Sequence, residues 1–438
     1  MEKIRDQLQV AGERAVLVAA HPKTADYYND DLAELTSLAK TAEVIIVDRF
    51  QQKIKEINPA TYIGRGKAEM LAQRVQINRA DMVIFDNDLS PNQIRELEAI
   101  LEVKVLDRSE LILDIFASTA QTRQAKLQVE LAQLEYTYPR LTRMWSHLDS
   151  VAGAGGGTAA GAVGGVGTRG TGEKQLEIDR RLVNKRITDL KRELAVIEKR
   201  RERQIESRKN VYKACLVGYT NAGKSTFMNA VTNAGVFAED RLFATLDTRT
   251  RKWKLDGTTE VLLSDTVGFV RHLPHQLVES FKATLAEAVN ADLLLHIVDV
   301  SSDEVFEQIK SVNTVLKEIG CEKKKMLIIL NKIDAIKNIS VLEALTTIHP
   351  DAIPVSASRG EGIEPVIERI TGFIRGESVT ARIRIGVANG KLQSYLHANS
   401  EIVSQDYNDN YVDFVVRLGE KTLPVVQSMK PESVELVK

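Results

Sequence analysis

Short apolar runs alternate with segments of helical periodicity over the first hundred residues. The apolar runs lie at residues 15–20, 43–47, 82–85 and 104–106. Segments with helical spacing separate them, at residues 31–39, 67–75 and 91–101. Strands that alternate with helices in this order build an α/β structure. The pattern therefore predicts a small α/β domain over residues 1–115.

The same alternation returns from residue 211 to about residue 375. Buried strands are predicted at residues 212–217, 261–264, 293–299 and 326–330. Helices are predicted at residues 224–233, 276–289, 304–319 and 363–374. This order is typical of a mostly parallel, doubly wound sheet, here over residues 209–376. Residues 377–438, with an alternating stretch at 411–418, are predicted to form a small α+β tail domain, for which the sequence indicates no chemistry.

The chain between these two regions has the spacing of coiled-coil seams. The first seam is Leu127, Leu131, Leu134, Tyr138 and Leu141, and the second is Val183, Ile187, Leu190, Leu194 and Ile197. Steps of three and four residues place such side chains on one helix face. Residues 153–172 between the seams hold ten glycines in twenty residues. We therefore expect an antiparallel helical hairpin over residues 116–208, with a glycine-rich tip at residues 151–172.

Composition and charge narrow the class of protein. The 438 residues include 59 basic and 60 acidic side chains, so any nucleic-acid-binding surface must be local. Two cysteines without metal or redox spacing fit a reducing cytosol. The uncharged run at residues 151–168 is too weakly apolar for a membrane span, and the first residues lack the apolar core of a signal peptide. We expect a cytoplasmic protein without a transmembrane segment, and nothing demands a dimer, so a monomer is expected.

One glycine-rich stretch follows a predicted strand and opens a predicted helix. It consists of Gly218, Tyr219, Thr220, Asn221, Ala222, Gly223, Lys224 and Ser225. This is the pattern of a phosphate-binding P-loop, in which backbone amides and the helix N-terminus surround the phosphates. Lys224 would bridge the outer phosphates, and the Ser225 hydroxyl would bind Mg²⁺. The stretch therefore predicts a nucleotide site.

Two further segments are predicted to sense the third phosphate. Asp265, Thr266, Val267 and Gly268 follow the strand at 261–264, and Phe243, Ala244, Thr245, Leu246 and Asp247 lie in the loop before it. A carboxylate at Asp265 can hold magnesium through water, and the Gly268 amide can meet the terminal phosphate. Thr245 would offer its hydroxyl to the magnesium only when that phosphate is present, which makes the loop a switch. We therefore expect Lys224, Thr245, Asp265, Gly268 and Asn221 to act in catalysis.

Residues at two more strand ends predict which nucleobase the site binds. Asn331, Lys332, Ile333 and Asp334 follow the strand at 326–330, and Ser356, Ala357 and Ser358 follow a later apolar run. One carboxylate, Asp334, can accept both the ring N–H and the amine of guanine, whereas adenine offers no matching donors. Such a site can discriminate between bases by roughly 10⁴. The Lys332 stem would cover the base, and an amide near Ala357 would meet the guanine oxygen.

These motifs resemble those of a translation-factor-class P-loop GTPase, and the whole chain resembles the HflX family. The family-specific segments are residues 105–108, 125–134, 139–142, 164–170 and 243–247. The resemblance implies a Mg²⁺-dependent GTPase that binds the large (50S) ribosomal subunit and its RNA. It further implies binding in the GTP state, release on hydrolysis, and a role in splitting or rescuing stalled ribosomes or in ribosome biogenesis.

The hairpin offers candidate RNA contacts. They are Arg140, Arg143, Gly167, Arg169 and Gly170. A glycine-rich tip that carries arginine can press backbone amides against RNA phosphates. A solvated coiled-coil face explains the arginines equally well, because acidic residues are interspersed. No feature indicates DNA as a partner.

Four alternatives remain open at this point. Phe269 stands where many GTPases place a water-orienting glutamine, so we expect slow intrinsic hydrolysis that the ribosome or a cation must assist. Asn221 either supports a potassium ion in the site or only stabilises the loop. The Gly64–Lys67 segment is better explained as a turn than as a second nucleotide site. A signalling or membrane-associated GTPase whose hairpin grips a protein partner is the alternative function.

Overall fold

The fold comes from a computed structural model of the chain. It describes residues 10–22, 32–137, 169–206, 211–232, 242–243, 248–255, 259–271, 282–376, 378–419 and 422–437. The chain divides into two compact units. The first contains the described residues up to Ile197 together with Leu242 and Phe243, and the second contains the other described residues from Glu198 onward.

The N-terminal region is an α/β domain, as predicted. Its elements are β1 (Arg14–Pro22), α1 (Ala33–Thr41), β2 (Ile45–Ile54), α2 (Arg65–Asn78), β3 (Met82–Phe85), α3 (Pro91–Leu101), β4 (Lys104–Asp107) and α4 (Arg108–Thr119). All strand pairs are parallel, in the order β2-β1-β3-β4. The start of α3 shows how local sequence fixes an element. Ser90 and Gln93 form a reciprocal capping box, and Pro91 occupies the first turn, where no amide donor is needed.

Charged groups at the carboxyl edge of this sheet have ion-pair or hydrogen-bond partners within the domain. Arg108, 2% exposed, pairs with Glu34 at 2.7 Å and with Asp86 at 2.6 Å. Asp107 caps α4 through the Glu110 amide and accepts a 2.5 Å hydrogen bond from the hydroxyl of Tyr136. Buried charges need such partners, because each unpaired charge in the interior is strongly unfavourable. This edge is therefore a compensated network that ties α1, β3, β4 and α4 together.

The segment suggested as a second phosphate site forms a helix start. Gly64 lies at φ 80° just before α2, a conformation that glycine adopts without strain. Arg65 pairs with Glu69 one turn later, and both side chains are largely exposed. Residues 65–67 are therefore the first helical turn and not the turn that the sequence favoured, and a phosphate site at this position stays a prediction.

The two predicted seams meet between α5 (Arg123–Thr137) and α6 (Arg169–Glu206). The packed residues are Leu127, Leu131, Leu134, Ile187, Leu190, Leu194 and Ile197. Ion pairs Glu130–Arg186, Glu135–Lys191 and Arg123–Glu193 surround this contact. From Arg123 to Glu130 the partner residue falls from Glu193 to Arg186, as in an antiparallel pair, but Glu135–Lys191 does not follow this trend. The antiparallel direction of the pair stays a prediction.

One expectation about the tip is wrong. Arg169 and Gly170, expected in the glycine-rich loop, lie in the first turn of α6. Glycine is tolerated there because the first amides of a helix have no intrahelical partner to lose. Tyr138, Leu141, Arg140, Arg143 and Gly167 lie outside the described residues. Among the residues that the structure describes, no helix combines the length and apolar character needed to cross a bilayer.

The second α/β region is built on a six-stranded sheet. Its elements are β5 (Tyr212–Gly218), α7 (Lys224–Thr232), β6 (Arg249–Lys254), β7 (Glu260–Asp265), α8 (Lys282–Asn290), β8 (Leu293–Asp299), α9 (Val305–Glu318), β9 (Lys325–Asn331), α10 (Ile339–Ile348), β10 (Ile353–Pro354) and α11 (Ile363–Gly376). The strand order is β10-β9-β8-β5-β7-β6. All pairs are parallel except β6 with β7, an antiparallel edge that the sequence did not predict. The mostly parallel sheet is confirmed.

The tail folds as a βαββαβ unit. Its elements are β11 (Ser378–Gly386), α12 (Gly390–Asn399), β12 (Glu401–Tyr407), β13 (Tyr411–Gly419), α13 (Leu423–Ser428) and β14 (Ser433–Val437). The sheet is antiparallel in the order β12-β13-β11-β14, which is the ferredoxin-like arrangement. Ile383, Phe414 and Leu396 lie in its core. On the opposite face Arg384 forms a bidentate pair with Asp413 and lies over the Tyr411 ring.

Candidate active site

The phosphate loop joins the end of β5 to the start of α7, and its glycines are required by close contacts. A Cβ on Gly218 would lie 2.3 Å from the carbonyl oxygen of Ile297, and one on Gly223 would lie 2.3 Å from Nδ2 of Asn331. Real Cβ atoms do not approach other atoms so closely. Gly223 also has a φ of 90°, which disfavours other residues. The neighbouring strands therefore impose the shape of the loop.

Lys224 is buried at the base of this loop. Its Nζ donates to the carbonyl oxygens of Gly218 at 3.2 Å and Tyr219 at 2.9 Å. Burial lowers the pKa of Lys224 to about 8, an effect that the nearby Asp265 carboxylate opposes. A phosphate anion beside Nζ would favour the charged ammonium. The lysine is thus held where an anionic ligand would stabilise its charged form.

Ser225 and Asp265 form a pair of oxygen donors. The Ser225 hydroxyl donates to Oδ2 of Asp265 at 2.7 Å, and Asp265 is fully buried at the end of β7. The next residue, Thr266, anchors this strand end by donating to the Leu216 carbonyl at 2.7 Å. Hydroxyl and carboxylate oxygens are the ligands that Mg²⁺ prefers, so these groups fit a magnesium site.

Asn331 connects the phosphate loop to the predicted base loop. Its Nδ2 donates to the Ala222 carbonyl at 2.9 Å, and its Oδ1 accepts from the Ala357 amide at 3.0 Å. The side chain is 2% exposed, so both bonds form away from bulk water. The amide thus fixes two loops from different strand ends relative to each other.

Asp334 is oriented by two serines. Ser356 Oγ donates to its Oδ1 at 2.6 Å, and Ser358 Oγ to its Oδ2 at 3.4 Å. The Ser356 hydrogen bond is the main cause of a lowered pKa of Asp334, so the carboxylate stays ionised. An ionised, oriented carboxylate can accept two N–H groups side by side, which is the pattern that guanine presents.

The segment that follows Asp265 contacts the phosphate loop. A Cβ added to Gly268 would lie 2.6 Å from Cα of Thr220. The next residue, Phe269, is 3% exposed and forms a parallel bridge with Tyr219. The structure therefore brings Gly268 beside Lys224 and Thr220, and its role as a phosphate sensor stays a prediction.

Phe243 has a different setting from the one expected. Its ring is 2% exposed and meets the Phe116 ring of α4 edge-on, with centroids 4.6 Å apart, inside the first compact unit. Its φ of 58° is rare for an aromatic residue. Ala244, Thr245, Leu246 and Asp247 lie outside the described residues.

Three family models match the chain in succession. They describe the N-terminal region of a GTP-binding GTPase at residues 29–117, its middle region at 119–208, and a 50S ribosome-binding GTPase at 213–332. The GTPase HflX of Lacrimispora saccharolytica is 42% identical over 407 residues, 92% of this chain and 93% of the relative. The chain belongs to the HflX GTPase family. It is a P-loop GTPase, and the reaction that it catalyses is GTP hydrolysis.

The chain is also similar to other HflX relatives and to one solved structure. The GTPase HflX of Escherichia coli is 43% identical over 387 residues, 88% of each chain. The GTPase HflX of Magnetococcus marinus is 40% identical over 432 residues, 97% of each chain. A crystal structure of SsGBP with GDP is 26% identical and aligns with 82% of this chain and 98% of its own, at a TM-score of 0.45.

Two residues of this HflX-family site make contacts that were not predicted from the sequence. Asp299 holds the Lys332 ammonium at 2.7 Å and accepts from Ser301 Oγ at 2.6 Å. Tyr219 accepts a hydrogen bond from the Arg271 amide at 2.9 Å. Asp299 is the last residue of the strand predicted at residues 293–299, and its carboxylate at a strand end could have indicated a role in the site. The contact of the Tyr219 hydroxyl could not be predicted from the sequence, because its partner is a backbone amide 52 residues away.

Proposed function

We propose that this GTPase binds the large ribosomal subunit with GTP bound and releases it after hydrolysis. The guanine pocket carries the proposal, because Asp334 is held by Ser356 while Asn331 links that pocket to the phosphate loop. The partner is inferred from the match to 50S ribosome-binding GTPases over residues 213–332. The cycle would take place in the cytosol and serve the splitting or rescue of stalled ribosomes, or ribosome biogenesis.

Magnesium would be held by the hydroxyls of Ser225 and Thr245, with Asp265 acting through water. The 2.7 Å Ser225–Asp265 contact supports this assignment, since it gathers two oxygen donors beside the phosphate loop. Bound there, the ion would offset the negative charge of the outer phosphates. Lys224 and the loop amides would orient those phosphates for attack by water.

Hydrolysis by the isolated protein should be slow. Phe269 follows Gly268 and is buried, and a phenyl ring cannot orient a water molecule. A group from outside the chain would therefore supply the missing stabilisation, and the ribosome is the proposed source. Binding of the partner and hydrolysis would then be coupled.

Basic residues on α6 support an RNA partner. Arg181, Lys185, Lys199 and Arg200 are exposed along the described part of this helix. Such side chains neutralise phosphates without reading sequence. Arg169 and Gly170 in its first turn, together with Arg140, Arg143 and Gly167, would add further contacts with RNA. A protein partner gripped through the seams is less favoured, because the seam leucines are packed against each other.

Sedimentation with purified large subunits tests the proposal. The chain should pellet with the subunits in the presence of a non-hydrolysable GTP analogue and remain in the supernatant with GDP. Binding should weaken steeply as salt rises from 50 to 200 mM, as expected for phosphate contacts. Equal sedimentation with both nucleotides would contradict the proposed cycle.

Potassium is a proposed second cofactor. Asn221 lies in the exposed part of the phosphate loop with a φ of 60°, in the left-handed region that asparagine tolerates. Its side chain would hold K⁺ near the phosphates, where the ion would replace an arginine finger. Replacing potassium by sodium at equal ionic strength should then lower the hydrolysis rate. An unchanged rate would leave Asn221 with a role in loop shape.

A further inference from the structure

Asp299 lies at the end of β8, next to the residues that follow β9. Strands β8 and β9 are parallel neighbours, with Asp299 opposite Asn331, and the Val300 amide donates to the Asn331 carbonyl at 3.1 Å. The pairing of the two strands therefore continues up to the start of the predicted base loop. The next residue of that loop, Lys332, accordingly meets the Asp299 carboxylate at the carboxyl edge of the sheet.

The two oxygens of the Asp299 carboxylate have different partners. Oδ1 accepts hydrogen bonds from the amide and the hydroxyl of Ser301, at 3.0 and 2.6 Å. Oδ2 lies 2.7 Å from the Lys332 ammonium, and the side chains of Asp299 and Lys332 are only 15% and 30% exposed. Contacts between charged groups at this distance are strong, and partial burial reduces their screening by salt. Ser301 thus fixes the carboxylate, and the carboxylate fixes the end of the lysine side chain.

The backbone of Lys332 is fixed as well. Its φ is 65°, in the left-handed region, and its carbonyl accepts from the Ala335 amide at 3.0 Å. Both ends of this long side chain are therefore held, the Cα by the loop and the ammonium by Asp299. A free lysine side chain would lose conformational entropy when a ligand packs against it. Here much of that loss has already occurred in the folded protein.

We propose that Asp299 is a positioning residue for guanine-nucleotide binding, which sets the Lys332 stem in place before the base binds. The inference rests on the proposed nucleotide site, in which the Lys332 stem covers the face of the base. A side chain that is ordered in advance removes part of the cost of binding. The stem contacts the flat face of the purine, whereas Asp334 accepts hydrogen bonds from its edge. Asp299 therefore adds affinity for purine nucleotides without adding to the choice between them.

Asp299→Asn tests the proposal, because asparagine has the same shape, can still accept from Ser301 and lacks the charge that holds Lys332. Isothermal titration would give dissociation constants for GDP, for inosine diphosphate and for a non-hydrolysable GTP analogue. All three affinities should fall by the same factor, about 2- to 10-fold, the effect of leaving one long side chain to be ordered on binding. Asp334→Asn should instead change the ratio of the GDP constant to the inosine diphosphate constant, because inosine lacks the amine.

A double-mutant cycle separates positioning of Lys332 from a purely structural role of Asp299. Lys332→Met keeps an apolar stem without the ammonium, so adding Asp299→Asn to this variant should not lower the affinities further. If Asp299→Asn weakens binding as much in the Lys332→Met background as in the wild type, the carboxylate does not act through the lysine. The proposal would then be wrong.

Asp303→Asn is the matched control. Asp303 pairs with Lys337 at 3.9 Å, both side chains are largely exposed, and neither residue belongs to the predicted site. All three dissociation constants should stay the same in this variant. Unchanged constants in Asp299→Asn, or a changed ratio of GDP to inosine diphosphate binding, would also overturn the positioning role. Wild-type protein that binds GDP no better than ADP would instead refute the guanine pocket itself.

Discussion

The two parallel sheets of this chain treat charge at their carboxyl edges in different ways. In the N-terminal sheet, Arg108 is paired with both Glu34 and Asp86 at 2.6–2.7 Å. In the GTPase sheet, Lys224 is buried against the carbonyl groups of its own loop, and its pKa is lowered to about 8. At the first edge the buried cation Arg108 has its carboxylate partners within the fold, whereas at the second edge Lys224 gains a strong partner when an anion binds. Similar architecture thus carries stability in one case and ligand affinity in the other.

Removing Arg108 should have the largest effect. Arg108→Ala would leave Glu34 and Asp86 buried without their cation, so the N-terminal domain should lose about 3–5 kcal/mol of unfolding free energy. Urea denaturation followed by a probe in that domain would measure the loss. Guanine nucleotide affinity should stay within twofold. The exposed Arg65–Glu69 pair is the control, since Arg65→Ala should cost about 0.5 kcal/mol or less. A large loss of GTP affinity in Arg108→Ala would contradict the conclusion that the Arg108 edge serves stability alone.

Changing Asp334 should have the opposite pattern of effects, in which nucleotide affinity falls and stability changes little. Asp334→Asn replaces one acceptor with an N–H donor, so GTP affinity should fall by about 100-fold or more. Xanthosine triphosphate, which carries a carbonyl where guanine has its amine, should gain affinity in the same variant. Isothermal titration would give both constants. Thermal stability should change little, because Asp334 lies near the surface in a loop. Equal affinity for GTP and ATP before and after the change would refute the pocket assignment.

The Lys224 pKa predicts proton uptake on nucleotide binding. With a pKa of about 8 in the free protein and a higher pKa beside phosphate, the lysine gains a proton on binding above pH 8. Affinity should be flat below pH 8 and should fall by up to about tenfold per pH unit above it. Calorimetry at pH 8.5 in two buffers of different ionisation enthalpy would count the protons. Lys224→Arg, charged at every pH tested, should lose that uptake.

Asp114 predicts a pH effect on the stability of the N-terminal domain. Burial raises the pKa of Asp114 from 3.8 to about 6, and the Lys104 charge opposes the shift. A raised carboxyl pKa stabilises the fold at low pH, and this contribution is lost as pH rises through 6. The domain should therefore be about 2 kcal/mol more stable near pH 4 than near pH 7.5, other groups aside. Asp114→Asn should flatten this part of the profile; an unchanged slope would contradict the assignment.

The sequence was most informative where short motifs coincide with strand ends. The strands at Met82–Phe85 and Leu293–Asp299 begin and end where the apolar runs predicted. The phosphate loop and the Asp265, Asn331 and Ser356 segments all come together, because the carboxyl ends of parallel strands share one edge. Contiguous motifs of this kind can be recognised without knowing which distant residues they contact.

Features that depend on distant partners were missed. Arg108 meets Asp86 across 22 positions of sequence and Glu34 across more, and nothing in the local spacing reveals either pair. The edge strand Arg249–Lys254 buries mainly Trp253, so its polar sequence gave no strand signal. The sequence predicted one of the four strands of the tail. Of the others, β12 and β14 are mostly exposed and lack clear alternation.

Asn331 is hydrogen-bonded to both the phosphate loop and the loop that is proposed to bind the base. A single carboxamide spans the phosphate loop and the guanine loop through Ala222 and Ala357, so strain applied to one loop is transmitted to the other. A nucleoside without phosphates should therefore already slow the amide exchange of residues 218–225. Part of the free energy of nucleobase binding would in this way go into ordering the phosphate loop before any phosphate binds there.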